Sequence, residues 1–118
     1  MGSMNRRRMG GKKELAAAEY LAGCGYRILE RNFYSRAGEI DLVAAEGGYL
    51  VFIEVKYRST DAFGYPEEAV TLKKQRTIVG TARYYMLKNG YPPETPCRFD
   101  VVAITGEKIR LVKNAFEG

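Results

Sequence analysis

The stretch GEIDLVAAEGGYLVFIEVKYR, residues 38–58, decides the fold of this chain. Two runs rich in strand-forming residues flank Gly47-Gly48, a dipeptide typical of two-residue hairpin turns. The pattern therefore predicts two antiparallel strands, over residues 38–44 and 50–58, joined at this turn.

The turn also predicts which side chains share a face of the hairpin. The numbers of facing residues add to a constant, and a two-residue turn at Gly47-Gly48 makes this sum 95. Asp41 then faces Glu54, and Glu39 faces Lys56. A turn of three or five residues would place Asp41 and Glu54 on opposite faces, because a one-residue slip inverts the pattern. The other face is entirely apolar and carries Ile40, Leu42, Ala44, Val51, Ile53 and Val55.

The second strand does not have the pattern of an ordinary half-buried strand. Such a strand alternates apolar and polar residues along its whole length. Here Leu50 and Phe52 occupy the positions that would be polar, so the strand is predicted to be covered on both sides. Glu54 and Lys56 are therefore expected where a covered face opens outward.

The charged residues of the hairpin predict a divalent-metal site for the hydrolysis of phosphodiester bonds. Facing carboxylates repel each other, and a cation removes that cost. Mg²⁺ or Mn²⁺ held by Asp41 and Glu54 would polarise a phosphate and lower the pKa of a bound water. Lys56 would orient that water or stabilise the developing charge, and Glu39 would complete the site. The alternative is a structural salt-bridge ladder in which Lys56 neutralises Glu39.

Composition narrows the classes of function. The 118 residues suit one domain, and a formal charge of +5 favours a polyanionic partner. Histidine is absent, which excludes Ser-His-Asp and Cys-His catalysis and His-ligated zinc. No apolar run approaches a membrane span, and no secretory signal opens the chain. Cys24 and Cys97 lack metal-binding or disulfide spacing, so we expect a reduced, cytoplasmic protein in which Cys24 packs as a small apolar residue.

The rest of the chain completes one domain. Residues 1–12 are predicted to be a mobile tail and residues 13–118 a single α/β or α+β domain with a central mixed sheet. Thr71 is the expected N-cap of a basic helix that ends near Lys88. The other predicted elements are a helix over 13–23, strands over 26–33, 98–104 and 109–116, and a loop over 59–70. The predicted apolar stripes of the helices are Leu15, Ala18, Leu21 and Ala22, then Leu72, Val79, Ala82 and Met86.

The basic residues predict a surface for nucleic acid. Phosphate contacts from such residues would position a nucleic acid without reading its sequence, and no segment has the features of a base-reading helix. We therefore expect structure-dependent recognition. The alternative is that most of these basic residues are solvated surface charges. The candidate contacts are Lys73, Lys74, Arg76 and Arg83 on the second helix, with Arg36 and Arg58 near the hairpin.

Two carboxyl residues on one strand and an acid-x-Lys on the next resemble the motif of the PD-(D/E)xK nuclease superfamily. The resemblance extends over nearly the whole folded chain to the YraN-like family of bacterial proteins. It is carried by KELAAAEYL with GYRILERN, GEIDLVA, LVFIEVKYR, EAV with its following basic helix, RFDVV and the terminal NAF. Lys13 stands where that family often has glycine.

This resemblance implies a restriction-endonuclease-like core, αβββαβ, here followed by a short final strand and flanked by helices. It implies an endonuclease similar to Holliday-junction resolvases, acting on DNA rather than RNA. It also places Glu14 with Asp41 and Glu54 as a metal ligand, and Gln75 as an active-site neighbour. Related nucleases often work as dimers, so a homodimer stays open. Asp100 is expected to make a structural hydrogen bond or ion pair.

Two other functions remain open at this level. The same fold could serve as a nucleic-acid-binding module with little or no catalysis. The chain could also be a protein-interaction domain whose charges are incidental. The residues needed for metal-dependent hydrolysis are all present, which favours the nuclease.

Overall fold

The computed structural model describes residues 14–58 and 70–118. The predicted tail over 1–12 and residues 59–69 of the predicted loop lie outside these ranges. The described elements are, in chain order, helix α1 over 14–23, β1 (Arg27–Tyr34), β2 (Glu39–Glu46), β3 (Tyr49–Arg58), α2 (Leu72–Lys88), β4 (Cys97–Thr105) and β5 (Lys108–Phe116).

The five strands form one mixed sheet in the order β1-β2-β3-β4-β5. Neighbouring strands are antiparallel except β3 and β4, which are parallel and are connected through α2. The predicted α+β domain with a central mixed sheet and flanking helices is confirmed. The final strand is not short, however, because β5 has 9 residues, as many as β4.

The hairpin of β2 and β3 has the predicted register. Leu42 pairs with Ile53 and Glu46 pairs with Tyr49, with the intervening residues in step. Gly47 and Gly48 have φ values of 59° and 84°, which match the two positive values of a type I′ turn. The turn thus joins the strands with the twist that an antiparallel pair requires.

The hairpin is covered on both faces, as Leu50 and Phe52 predicted. Phe52 packs in the cluster beneath α2, and Ile53 packs in the cluster beneath α1. One residue departs from the predicted faces: Ile40 belongs to the α2 cluster, although Leu42 belongs to the α1 cluster. Residues two apart in a regular strand share a face. The alternation of β2 is therefore broken at Asp41.

The two helices have the predicted positions in the chain, but their buried stripes are rotated. Thr71 caps α2 by accepting from the backbone N–H of Lys74 at 3.1 Å. Leu72 is 68% exposed, and Leu15 and Ala22 of α1 are also exposed. Both helices are rich in small or amphipathic residues. Their periodicity alone therefore predicts which face is buried only to within about one residue. The buried residues are Glu14, Ala17, Ala18 and Leu21 in α1 and Ile78, Thr81, Ala82 and Tyr85 in α2.

A buried polar network lies on the α1 side of the sheet, where Asp100 of β4 is level with Ile53 of β3. Asp100 is fully buried and accepts from the Tyr26 hydroxyl at 2.6 Å, from Arg98 at 2.9 Å and from the backbone N–H of Asn114 at 2.9 Å. Arg98 also donates to Glu46 at 2.8 Å. These bonds join β2, β4, β5 and the segment before β1, which confirms the structural role expected for Asp100.

The cysteines and the helices bear on two further predictions. Cys24 and Cys97 are free and exposed, so the expectation that Cys24 packs in the core is wrong. Cys24 lies in the turn that follows α1.

In the described ranges, neither helix combines the length and apolarity that a membrane crossing needs.

Candidate functional site

The site lies where β2 and β3 separate. Their paired residues end at Leu42 and Ile53. One step further, the Asp41 carboxylate accepts from the backbone N–H of Val55 at 2.7 Å. The predicted facing pairs Asp41–Glu54 and Glu39–Lys56 therefore lie beyond the last strand pair, and the Asp41 side chain is bonded to β3 instead. This bond and the broken alternation of β2 hold the Asp41 carboxyl group between the strands.

Glycine permits the approach of β2 to α2. Gly38, directly before β2, has a φ of 153°, and a Cβ at this position would collide with the side chain of Thr77 on α2. The backbone N–H and C=O of Gly38 bond to Ser35, which closes the turn between β1 and β2. The start of β2, with Glu39, is thus held against the helix that carries Lys74.

Burial and repulsion perturb the Asp41 carboxyl group. Loss of solvent raises the pKa of Asp41 to about 7, with a further upward contribution from the charge of Glu54. The bond from Val55 opposes this rise, while Glu39 and Glu14 add to it. The charges of Glu54, Glu39 and Glu14 therefore all disfavour ionisation of Asp41, which shows that the four predicted acidic residues lie near one another.

Glu54 is the second buried acid of the site. Its side chain is 7% exposed, and burial raises its pKa. Lys74 and Lys56 oppose that rise, because their ammonium groups lie 4.0 and 3.6 Å from Oε1 of Glu54. Strongly perturbed acids beside specific charged partners are typical of functional sites.

Lys56 and Lys74 were given different roles by the sequence, yet both contact Glu54. Within the described residues, the ion pair of Lys56 is with Glu54 and not with Glu39, the partner that the salt-bridge alternative assigned to it. Lys74 was predicted to contact phosphate from the helix surface. Its spacing along α2 gave no sign that it would reach the hairpin, because that contact depends on how the helix lies on the sheet.

Glu14 joins this group from α1. The residue is 8% exposed, and its buried Oε2 atom has no hydrogen-bond partner among the residues that the structure describes. Burial raises the pKa of Glu14, a hydrogen bond from Asn32 lowers it, and Glu39 raises it further. Asn32 has a φ of 56°, a conformation that asparagine tolerates better than most residues. The sequence did not single out Asn32 as a neighbour of the site.

The donor set suits a hard divalent cation. Carboxylate oxygens are the ligands that Mg²⁺ and Mn²⁺ prefer, and Glu14, Asp41 and Glu54 supply three buried or half-buried carboxyl groups. An orphaned oxygen on Glu14 and the repulsion among the acids are the features that a cation would relieve. Across residues 14–58 and 70–118, however, no three acidic or cysteine side chains stand ready-made as a metal-binding group.

The remaining predicted contacts are dispersed. Arg36, Lys73 and Arg76 are exposed, and Arg58 is the last residue of β3. Arg83 instead lines a separate cavity of about 700 Å³ with Met86 and Phe99. The Gln75 amide donates to the backbone carbonyl of Val70 at 2.9 Å, so it secures the start of α2.

The perturbed Asp41 should make folding stability depend on pH. Between about pH 4 and pH 7 the folded chain keeps a proton on Asp41 that the unfolded chain has released, so stability contributed by this group falls as pH rises. We expect Asp41→Asn, whose amide oxygen can still accept from Val55, to gain about 2–4 kcal/mol relative to wild type between pH 4 and pH 8.

Urea unfolding at five pH values, without divalent metal, measures this difference. Glu107→Gln, in the exposed turn between β4 and β5, is the control and should track the wild type. Parallel curves for Asp41→Asn and wild type would contradict the assignment of the perturbed group.

Comparison with known proteins identifies relatives of the whole chain. The model of a family described as "Uncharacterised protein family UPF0102" matches residues 13–104. A UPF0102 protein of Lachnoclostridium phytofermentans is 58% identical over 114 residues, covering 97% of each chain. Relatives from Symbiobacterium thermophilum and Persephonella marina are 49% and 45% identical, over 93% and 92% of this chain and 97% and 92% of their own.

Proposed function

The chain therefore belongs to the uncharacterised protein family UPF0102, as the YraN-like resemblance predicted, and we propose that it is a metal-dependent endonuclease acting on DNA. The observation that carries the proposal is the set of three buried or half-buried carboxyl residues Glu14, Asp41 and Glu54, with Lys56 beside Glu54. Among the described residues, one carboxyl oxygen of Glu14 has no hydrogen-bond partner. The order of α1, three antiparallel strands, α2 and β4 supports a restriction-endonuclease-like core.

Each residue of the site has its own proposed role in phosphodiester hydrolysis. Asp41 and Glu54, with Glu14, would hold Mg²⁺ or Mn²⁺, and Glu39 adds negative charge behind them. The bound ion would supply Lewis-acid activation of the phosphate and a water of lowered pKa. Asp41 is held in place by the Val55 N–H, which fixes its carboxyl group before substrate arrives.

Lys56 is the candidate for contact with the reacting phosphate. Its side chain is 30% exposed, whereas Glu54 beside it is buried, so the ammonium group lies between the acids and solvent. From there it can donate to a phosphate oxygen or orient the attacking water. Lys74, at 4.0 Å from the same Glu54 oxygen, balances the charge of that acid from the helix side.

Recognition of the substrate would follow backbone shape and charge. Exposed Arg36, Lys73 and Arg76 are available for phosphate contacts, which carry no sequence information. We therefore propose structure-dependent cleavage, with branched or single-stranded DNA as the first substrates to test.

One observation favours a second candidate, a nucleic-acid-binding module without catalysis. No three of the described acids stand in a ready-made metal geometry, so an active site would require them to draw together around the ion. Under this alternative, Asp41→Asn leaves both binding and the absence of cleavage unchanged.

The deciding experiment is a metal-titrated cleavage assay on linear duplex, single-stranded, flap and four-way-junction DNA, with RNA counterparts. Wild type should cut at least one substrate with Mg²⁺ or Mn²⁺, a chelator should stop it, and Asp41→Asn should be inactive. The endonuclease proposal is lost if no substrate is cut with either metal, or if Asp41→Asn cuts as fast as wild type.

A further inference from the structure

A row of basic residues crosses the sheet beside the candidate site. Lys56 of β3 is in register with Ala103 of β4, which is in register with Arg110 of β5. One row further out, Thr105 of β4 pairs with Lys108 of β5. The sequence did not connect these residues, since Lys56 and Arg110 lie far apart in the chain.

Strand alternation places the three cations on one face. Phe52 lies in the α2 cluster and Lys56 follows it by four residues on the same strand. On β5, Val112 packs against the same cluster, and Arg110 and Lys108 precede it by two and four residues. Because side chains two apart share a face, Lys56, Arg110 and Lys108 all belong to the α2 side of the sheet.

Within the described residues, the strip is exposed to solvent at its β5 end. Arg110 and Lys108 are exposed, and Ala103 between Lys56 and Arg110 is small and buried. Within the described chain Lys108 makes no ion pair, and the acidic residue of the same turn is the exposed Glu107.

The spacing fits a phosphate backbone. Lys108 and Arg110 are two residues apart on one strand, roughly 6.7 Å. Successive phosphates of one strand lie about 3.4 Å apart along the helix axis and further apart through space, so two cations at this spacing can contact neighbouring phosphates. Lys56 lies two strands from Arg110, on the order of 10 Å away, next to Glu54.

We propose that Lys56, Arg110 and Lys108 form a basic strip across β3, β4 and β5 that binds the sugar–phosphate backbone of a nucleic acid and leads it to Glu54. The strip extends the predicted contact surface from α2 to the opposite side of the site, at the β5 edge. It rests on the proposed function in taking the ligand to be nucleic acid, but it requires binding and not cleavage.

The test compares two double variants that each remove two positive charges. Lys108→Gln/Arg110→Gln alters the strip, and Arg27→Gln/Lys88→Gln alters the opposite edge, where Arg27 begins β1 and Lys88 lies over Phe33. Binding of labelled duplex and four-way-junction DNA is measured by fluorescence anisotropy at several salt concentrations, without divalent metal. Thermal unfolding of each variant checks that the fold is kept.

We expect the strip variant to bind about 10-fold more weakly and to lose about two from the slope of log affinity against log salt. The control should stay within about 3-fold of wild type, and Arg110→Lys, which keeps the charge, should behave like the control. Equal weakening of both double variants, or an unchanged salt slope in a folded strip variant, overturns the proposal.

The outcomes separate this inference from the endonuclease proposal. If wild type binds DNA but cuts none, the endonuclease fails while the strip is judged by binding alone. If the strip variant binds and cuts like wild type, the strip is wrong and the endonuclease stands. If wild type binds no nucleic acid, both are overturned.

Discussion

Replacing Glu54 by glutamine is expected to lower the metal-dependent cleavage rate by about 10³-fold or more. Glutamine keeps the size of the side chain but removes the charge that would help to hold the ion. It also removes the partner of Lys56 and Lys74, so the two ammonium groups are no longer held at 3.6 and 4.0 Å from a carboxylate. The measurement is single-turnover cleavage of the best substrate at saturating Mn²⁺.

Two further readouts show whether the loss is chemical. Mn²⁺ binding by calorimetry should weaken in Glu54→Gln. The pKa of Asp41, followed by NMR, should fall toward its ordinary value, because the charge of Glu54 helps to raise it. Glu107→Gln, an exposed acid in the turn before β5, should cut like wild type. A Glu54→Gln variant that retained cleavage within about 10-fold would remove Glu54 from the metal site.

Replacing Asp100 by alanine is expected to destabilise the fold by about 3–5 kcal/mol. The substitution leaves the buried Arg98 guanidinium with Glu46 as its remaining acidic partner. It also removes the acceptor for the Tyr26 hydroxyl and the Asn114 backbone N–H. Urea unfolding measures the free energy, and a change below about 1 kcal/mol would show that the network adds little to stability.

Two variants separate the cost of breaking this network from the value of the ion pair. Glu46→Ala removes the more exposed partner of Arg98 and should cost clearly less than Asp100→Ala, because solvent screens an exposed ion pair. Arg98→Met with Asp100→Leu removes both charges and should recover part of the loss, because an apolar pair leaves no buried charge unpaired.

The hairpin shows which structural features can be predicted from residues that are close together in the sequence. Gly47-Gly48 sets both the turn type and the register, and the paired Leu42 and Ile53 confirm that register. The apolar Leu50 and Phe52 predicted a strand covered on both sides, and each packs beneath α2. Turn geometry and side-chain alternation are properties of neighbouring residues, so they can be read from the chain directly.

The helices show where this reasoning stops. The prediction that Thr71 is the N-cap was confirmed. The cap could be predicted because capping involves residues only three apart in the chain. The exposure of Leu72 and Leu15 was not predicted, because the buried face of a helix depends on the sheet against which it packs.

The candidate site also has one part that the sequence predicted and another that depends on the tertiary structure. The chain itself determined the hairpin register as far as Leu42 and Ile53, since register is a local property, and it placed Glu54 and Lys56 on one side of β3. The bond of Asp41 to the Val55 N–H lies beyond that register and was not predicted. Only the tertiary structure decided that Lys74 reaches Glu54 and that Glu14 is buried with an unpartnered oxygen. Those groups come from α1 and α2, whose orientation is set by long-range packing against both faces of the sheet.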